Sequence, residues 1–521
     1  MSLTSFDFLL FAAAVLLLYY LIPGKAQWGL LLIASYFFYF MADPRLLFFL
    51  VFTTITTYIA TAVMGKRQEV QKAYLKANRE QLTREERTLC KKRGKRINRI
   101  WMLACLILNF TLLAFCKACL IEPLQHAISE GRLSFLAVGL PMGISFYMFQ
   151  SMGYVIDVYR EKAEAEKNPL KLALFVSFFP QLIQGPISKF NELAPALFTP
   201  TRFDGKQVSF GLQRMLWGYF KKMVIADRLA AAVIALRGPD QYGAAFALLT
   251  VFYAVQLYAD FTGGIDIAIG LSEAMGIHLP ENFIRPFFSK NIAEYWRRWH
   301  RTLGTWMKDY VFYPLTVSRP LRNLTQKLRK SHPRLGKRLP VYIATVLTWF
   351  VTGIWHGFSP NFIVWGMLNC AVIIISEELT PLYEKFHSRF GLNKHRWYDG
   401  FQIVRMFLLM NLIRACDLFP HVGDYFYSLG TLLTVHNWHI LWDGTLMTLG
   451  LTGLDYGIVL GGIALMFTVS MLQRKKQVRE RLWEKPVWLR YSLTFLLLAA
   501  VVLLGHYGIG YDAGNFIYNQ F

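Results

Sequence analysis

Long apolar runs alternate with short polar or basic stretches along the whole chain. Runs close to the roughly 20 residues that carry a helix across a 30 Å hydrocarbon layer fall at residues 6–22, 27–42, 45–64, 100–121 and 135–158. Others follow at 208–235, 242–271, 340–356, 361–377, 400–415, 455–472 and 488–508. The pattern predicts an all-α protein, a polytopic transmembrane helix bundle of about 11 to 13 spans with additional re-entrant segments. Residues 170–190 and 282–316 are apolar and aromatic but are interrupted by Pro180, Pro186, Pro286, Pro314 and basic residues. They read as re-entrant or tilted segments, and irregular backbone at that depth has to be buried in protein or line a wet cavity. The first run, Phe6 to Ile22, has no basic leader and no small-x-small cleavage site, so it is expected to stay as the first span.

Composition agrees: 55% of the residues are hydrophobic, 16% aromatic and only 17% charged, against about 25% charged in soluble chains. Disordered, collagen-like and disulfide-stapled classes are thereby excluded. The net charge of +23 would suggest nucleic acid were it not confined between the apolar runs. Residues 66–99 hold 13 Lys or Arg against 4 acids, residues 318–338 hold eight against none, and residues 474–490 hold seven against two. The positive-inside rule places all three stretches in the cytoplasm, the N-terminus outside and Lys25 inside. A helix such as Lys66 to Arg99 would also suit anionic headgroups, and basic loops round a cytoplasmic mouth would attract a polyanionic donor such as a coenzyme A ester. No internal repeat relates the two halves, which weighs against an inverted-repeat transporter. Of the six cysteines only Cys90 lies away from an apolar run, and the C-x-x-C at Cys116 and Cys119 has no second pair or histidine cluster beside it. Disulfide, redox and metal roles are therefore not expected.

Two stretches carry candidate chemistry. In Asn282 to Pro314, a continuous helix over residues 291–307 would place Arg297, His300, Arg301 and Gly304 on one face, an imidazole among guanidiniums and aromatic rings. The competing reading is an interfacial helix anchored by its Trp and Arg residues. In Thr348 to Trp365, His356 follows a long apolar run and is flanked by Gly353, Trp355, Gly357 and Pro360, the competing reading being a satisfied structural histidine at a helix end. Glycines there would let a substrate approach closely, and a desolvated imidazole kept neutral is what a general base must be. A hydroxyl attacking a thioester needs such a base. No G-x-S-x-G elbow, H-E-x-x-H motif or phosphate loop is present, which leaves a histidine-centred transfer without a metal.

The run PENFIRPFFSKNIAEYWRRWHRTLGTWMKDYVFYPL followed by VTGIWHGFSPNFIVWG resembles the membrane-bound O-acyltransferase family. The likeness is to its bacterial branch of alginate O-acetylation and teichoic-acid D-alanylation membrane proteins. FPQLIQGPISKF at Phe179 to Phe190 resembles that branch's Pro-Gln…Gly-Pro segment, and the terminal FIYNQF its aromatic ending. The resemblance implies one domain over residues 1–521, with N-terminal helices at 1–160, a catalytic core at 168–380, C-terminal helices at 400–521 and a central tunnel. It implies that His356 is the active-site histidine and His300 a second polar site residue; for the transfer mechanism, Arg297, Arg301, Trp355 and Asn361 are candidate positioning groups, with packing an equal reading for the tryptophan. It further implies a multi-pass protein of the bacterial cytoplasmic membrane that uses a thioester donor and holds no permanent cofactor. The donor would be acetyl coenzyme A, or an acyl carrier protein thioester for D-alanyl transfer. An extracytoplasmic partner protein would finish transfer to an exported polysaccharide or teichoic acid. The long basic loop between the histidines, SRPLRNLTQKLRKSHPRLGKRLP, favours the polysaccharide side. From other classes, a transporter or lipid flippase would use Lys221, Lys222, Asp260 and Asp266 as coupling sites, where the competing reading is buried pairs or helix ends. A scaffold would give the histidines no reason to sit among glycine and tryptophan.

Overall fold

A computed structural model describes residues 2–119, 141–238, 242–507 and Phe516, and every regular element among the described residues is helical. Seven helices there are long and apolar enough to span a bilayer: Pro44–Ala77, Arg84–Ala118, Ala244–Ala274, Pro333–His356, Pro360–Glu378, Gly453–Leu472 and Val487–Leu504. Phe6–Leu21 is a shorter apolar helix. The outermost spans carry large apolar side chains such as Leu454, Leu460, Phe467, Phe495 and Leu503 fully in the open, the surface lipid solvates in a protein of this class. The expected all-α, polytopic architecture is what the chain adopts.

The chain clusters into two compact units. The first, residues 1–211 and 271–280, contains α1 (Phe6–Leu21), α2 (Gln27–Ala42), α3 (Leu47–Ala77), α4 (Arg84–Ala118), α5 (Ile144–Tyr159), α6 (Pro169–Ser177) and α7 (Phe190–Phe198). The basic stretch 66–99 is not one interfacial helix. It is the C-terminal end of α3 and the N-terminal end of α4 joined by a turn, because Thr83 and Glu86 form a reciprocal capping box that restarts the helix. Gln71 of α3 donates to the Cys90 carbonyl at 2.7 Å and closes this hairpin. Deeper in the pair, Thr53, Thr57 and Thr61 are fully buried on α3 and Asn109 of α4 donates to Thr56 Oγ1 at 3.0 Å. Small polar residues allow such close helix packing in membranes.

The proline-broken segment that follows is held by buried amides. Gln181 Nε2 donates to Gln150 Oε1 at 2.8 Å, and Ser188 Oγ donates to Gln181 Oε1 at 3.2 Å. Gly143 adopts φ +68°, and a Cβ there would lie 1.9 Å from the Leu182 carbonyl oxygen, so only glycine fits.

The second unit, residues 212–270 and 281–521, holds most of α8 (Gly205–Tyr219), then α9 (Asp227–Leu236), α10 (Ala244–Ala274), α11 (Ile292–Arg298), α12 (Arg301–Met307) and α13 (Arg319–Ser331). It continues with α14 (Pro333–His356), α15 (Pro360–Glu378), α16 (Thr380–Phe390), α17 (Arg396–Arg414), α18 (Val422–Thr434), α19 (Gly453–Leu472) and α20 (Val487–Leu504). A π-helical stretch, Phe220–Ala226, joins α8 to α9. Gly218 and Gly263 let it lie against α10, since a Cβ on Gly218 would meet the Gly263 carbonyl oxygen at 2.6 Å. The widened turn aims two consecutive lysines at α10: Lys221 reaches Asp266 at 2.6 Å, and Lys222 reaches Asp260 at 2.6 Å and Asp227 at 2.8 Å. Arg214 Nε adds a 2.9 Å bond to Asp266 and its two terminal nitrogens clasp Glu281 at 2.6 and 2.7 Å. The intramembrane charges weighed above as coupling sites are thus mutually paired.

Candidate active site

His356 is the last residue of α14, and α14 packs antiparallel-fashion on α15 after the short Gly357–Ser359 connection. The glycines round it serve this packing. A Cβ on Gly353 would lie 2.7 Å from the Phe362 carbonyl oxygen, one on Gly357 2.4 Å from the Phe362 ring, and one on Gly366 2.6 Å from the Trp349 carbonyl oxygen. The room expected for a substrate at Gly353 and Gly357 is filled by α15. His356 is half-buried and its ring lies among aromatics, 4.9 Å from Trp355, 4.8 Å from Trp365 and 6.3 Å from Phe362 by ring centroids. Trp296, Trp349 and Trp365 lie within 6.1 Å of one another, and Asn369 fixes that cluster by accepting from Trp296 Nε1 at 3.2 Å while donating to the Trp365 carbonyl.

His300 is reached differently from the prediction. Residues 291–307 are not one helix: α11 ends at Arg298, Trp299 is extended, and His300 takes the left-handed conformation, φ +44°, before α12 begins. That conformation costs an L-residue about 1–2 kcal/mol, and such outliers persist where surrounding contacts over-determine them. Here the segment before α11 does so: Arg301 N–H donates to the Asn282 carbonyl and Ile284 N–H to the Arg298 carbonyl, both at 2.9 Å. The break removes the shared face. Arg297 points away as an exposed residue of α11, Arg301 is half-buried and donates to the Glu281 carbonyl at 3.4 Å, and Gly304 is exposed.

The imidazole itself is buried at 2% exposure, edge-on to Phe261 at 5.0 Å and 6.1 Å from Trp355. Trp355 therefore touches both imidazoles, His300 on one side and His356 on the other. Asn361, buried in the first turn of α15, receives Cys416 Sγ on its backbone carbonyl at 3.4 Å, and its Oδ1 has no hydrogen-bond partner among the described residues.

Two segments of the chain, residues 100–328 and 331–417, match the MBOAT family, described as the membrane-bound O-acyltransferase family. The chain belongs to this family. Among its relatives is "Probable alginate O-acetylase AlgI" of Pseudomonas syringae pv. tomato, 34% identical over 68% of this chain and 64% of that protein. The "Peptidoglycan O-acetyltransferase" of Helicobacter pylori is 32% identical over 56% of this chain and 57% of that protein. The "Teichoic acid D-alanyltransferase" of Bacillus subtilis is 27% identical over 55% of this chain and 69% of that protein. The chain spans between about half and two thirds of the length of the curated relatives it matches most strongly.

This family member thus brings His300, Trp355 and His356 together, with Arg301 half-buried directly after His300, Asn361 buried at the start of α15, and Arg297 exposed. Three residues that the sequence reading did not single out complete the surroundings. Arg414 lies over the Trp299 ring at 4.2 Å, donates to Tyr295 Oη at 3.4 Å, and bears electrostatically on His300. Trp365 faces His356, and Asn282 faces His300. Arg414 had a signal: it is an ionisable residue at the end of an apolar run, as His356 is. The loop residue Asn282 had none beyond its place in the motif-bearing stretch. The aromatic ending, apart from Phe516, lies outside the described residues.

Proposed function

We propose that this chain is a membrane O-acyltransferase that takes an acyl group, acetyl by preference, from a cytoplasmic thioester and delivers it to a hydroxyl on an exported cell-envelope polysaccharide or on a partner protein that completes the transfer. Family membership with two imidazoles meeting on Trp355 is the observation that carries the reading. His356 is assigned as general base. It accepts the proton of the attacking hydroxyl while the oxygen bonds the acyl carbon, the carbon–sulfur bond then breaks, and the proton passes to the departing thiolate. Acetyl coenzyme A is favoured as donor because the O-acetylases share more identity with this chain than the D-alanyltransferases do, and the basic cytoplasmic loops suit its phosphates. The proposed setting is the bacterial cytoplasmic membrane, a reading supported by the candidate spans and by relatives that come from bacteria.

The test is transfer of labelled acetyl from acetyl coenzyme A by membranes carrying the protein together with its native envelope fraction. His356→Ala is expected to lose about 10²- to 10⁴-fold of the transfer, and His300→Ala to retain residual activity. Transfer that appears only when a D-alanyl carrier protein is supplied would replace acetyl by D-alanyl. Equal activity in wild type and His356→Ala would overturn the assignment.

A further inference from the structure

The loop before α11 holds an amide whose orientation is decided by its neighbours. Asn282 is fully buried. Its Oδ1 lies 3.1 Å from the backbone nitrogen of Thr302, 2.9 Å from Thr302 Oγ1 and 3.2 Å from His300 Nδ1. A backbone N–H can only donate, so the atom facing it has to be the carbonyl oxygen of the amide and not its NH2. That oxygen has no proton to give, so a hydrogen bond with His300 Nδ1 requires the proton to sit on Nδ1. A neutral imidazole protonated there carries its lone pair on Nε2.

We infer that Asn282 is a positioning residue for the acyl transfer proposed above: it locks His300 as the Nδ1–H tautomer, so that Nε2 is the nitrogen able to accept a proton or hydrogen bond from the reacting groups. The inference rests on the functional reading for its purpose but not for its chemistry. The lock is itself anchored. Glu281, the preceding residue, is gripped by both terminal nitrogens of Arg214, whose Nε binds Asp266, which in turn binds Lys221. The Asn282 carbonyl receives Arg301 N–H, and α12 starts from the Thr302 end of the same contact. The buried ion pairs on α10 and the left-handed His300 therefore belong to one construction, in which a rigid charged frame holds a loop and the loop orients a ring. Partners of this kind, on the far nitrogen of a working histidine, set tautomer and ring orientation.

The decisive measurement is the nitrogen-15 spectrum of histidine-labelled protein in lipid nanodiscs, with the His300 signals identified by their loss in His300→Gln. In the wild type Nδ1 is expected to give the protonated, pyrrole-type shift and Nε2 the pyridine-type shift. The reverse pattern overturns the inference without any variant being needed. In Asn282→Leu the tautomers are expected to mix, and transfer to fall about 10- to 100-fold in kcat, the size typical when such an outer partner is removed, with the KM for acetyl coenzyme A unchanged. Asn282→Asp keeps an acceptor at Oδ1 for both Thr302 and His300, and is expected to restore the Nδ1–H signature and most of the kcat. An Asp variant as impaired as the Leu variant, with tautomers still mixed, would overturn the inference. A wild type showing Nδ1–H yet transferring no acyl group from either donor would leave the lock standing and remove the proposed function.

Discussion

Gly353→Ala separates two roles for the glycines beside His356. A Cβ at that position would sit 2.7 Å from the Phe362 carbonyl oxygen and 3.2 Å from Ile363 Cα. The first distance is about 0.7 Å inside the 3.4 Å at which ordinary contact begins, and both atoms are backbone that cannot swing aside. α14 and α15 must part by a comparable amount, and overpacking of that kind costs about 1–3 kcal/mol. Because His356 lies at the end of α14, and Trp365 on α15, the same separation moves the imidazole relative to its aromatic wall. A misplacement near 1 Å costs about 10²-fold in rate. The expected outcome is a lowered thermal midpoint in detergent or nanodisc together with a fall in kcat. Gly461→Ala on α19, where a Cβ meets nothing within 4 Å, serves as a control that should leave kcat unchanged and hold or raise the midpoint, since alanine favours a helix over glycine. If Gly353→Ala left the midpoint unchanged and raised KM alone, the glycine would be making room for substrate and the packing argument would fail.

Three further outcomes follow from contacts described above. Lys222→Met leaves the Asp227 and Asp260 carboxylates buried together without their cation, and is expected to cost about 3–5 kcal/mol of stability in a denaturation series; unaltered stability with activity abolished would restore a coupling role for these charges. Arg414→Lys loses the flat guanidinium that lies over Trp299, which an ammonium cannot reproduce, so kcat should fall with the protein still folded, and a variant as active as wild type would remove Arg414 from the site. Thr83→Ala breaks the capping box at the start of α4, a change worth about 1 kcal/mol, and should speed amide exchange in the first turn of α4 while leaving transfer untouched; unchanged exchange would show that the cap does not hold this turn.

The apolar runs were readable because a helix in lipid has to satisfy its own backbone, so their lengths map almost directly onto α2, α14, α15, α19 and α20. His356 was readable for a related reason, being a costly polar residue at the end of such a run. The region round His300 was not, because its shape depends on long-range partners. Arg297, His300, Arg301 and Gly304 all obey helical spacing, and nothing within residues 291–307 announces that Asn282 will capture Thr302 or that His300 will turn left-handed. The hairpin of α3 and α4 was hidden by composition: thirteen basic residues mask a capping box of two side chains, Thr83 and Glu86. The role of Gly353 is ambiguous in the sequence because a glycine beside a histidine reads the same whether a ligand or a neighbouring helix comes close, and the structure shows the helix.

Ionisable residues at membrane depth are functional candidates by default, and the two sets in this protein show how their surroundings sort them. Lys221 and Arg214 pair with Asp266, Arg214 also with Glu281, and Lys222 with Asp227 and Asp260, over distances of 2.6–2.9 Å. A group in that state resists changing its charge, since losing or gaining a proton would strand a buried partner. A coupling site has to change charge or release its ligand during each cycle, so this set makes a poor transport pathway and a good frame. His300 and His356 instead meet rings, an amide and, through Trp299, a guanidinium. A ring or a neutral amide beside an imidazole does not itself demand a charge on it, and a base that takes a proton from a hydroxyl has to be neutral. The ion pairs end at Glu281 and the contact to His300 begins at Asn282, so on the proposed mechanism these adjacent residues join the charged frame to the imidazole.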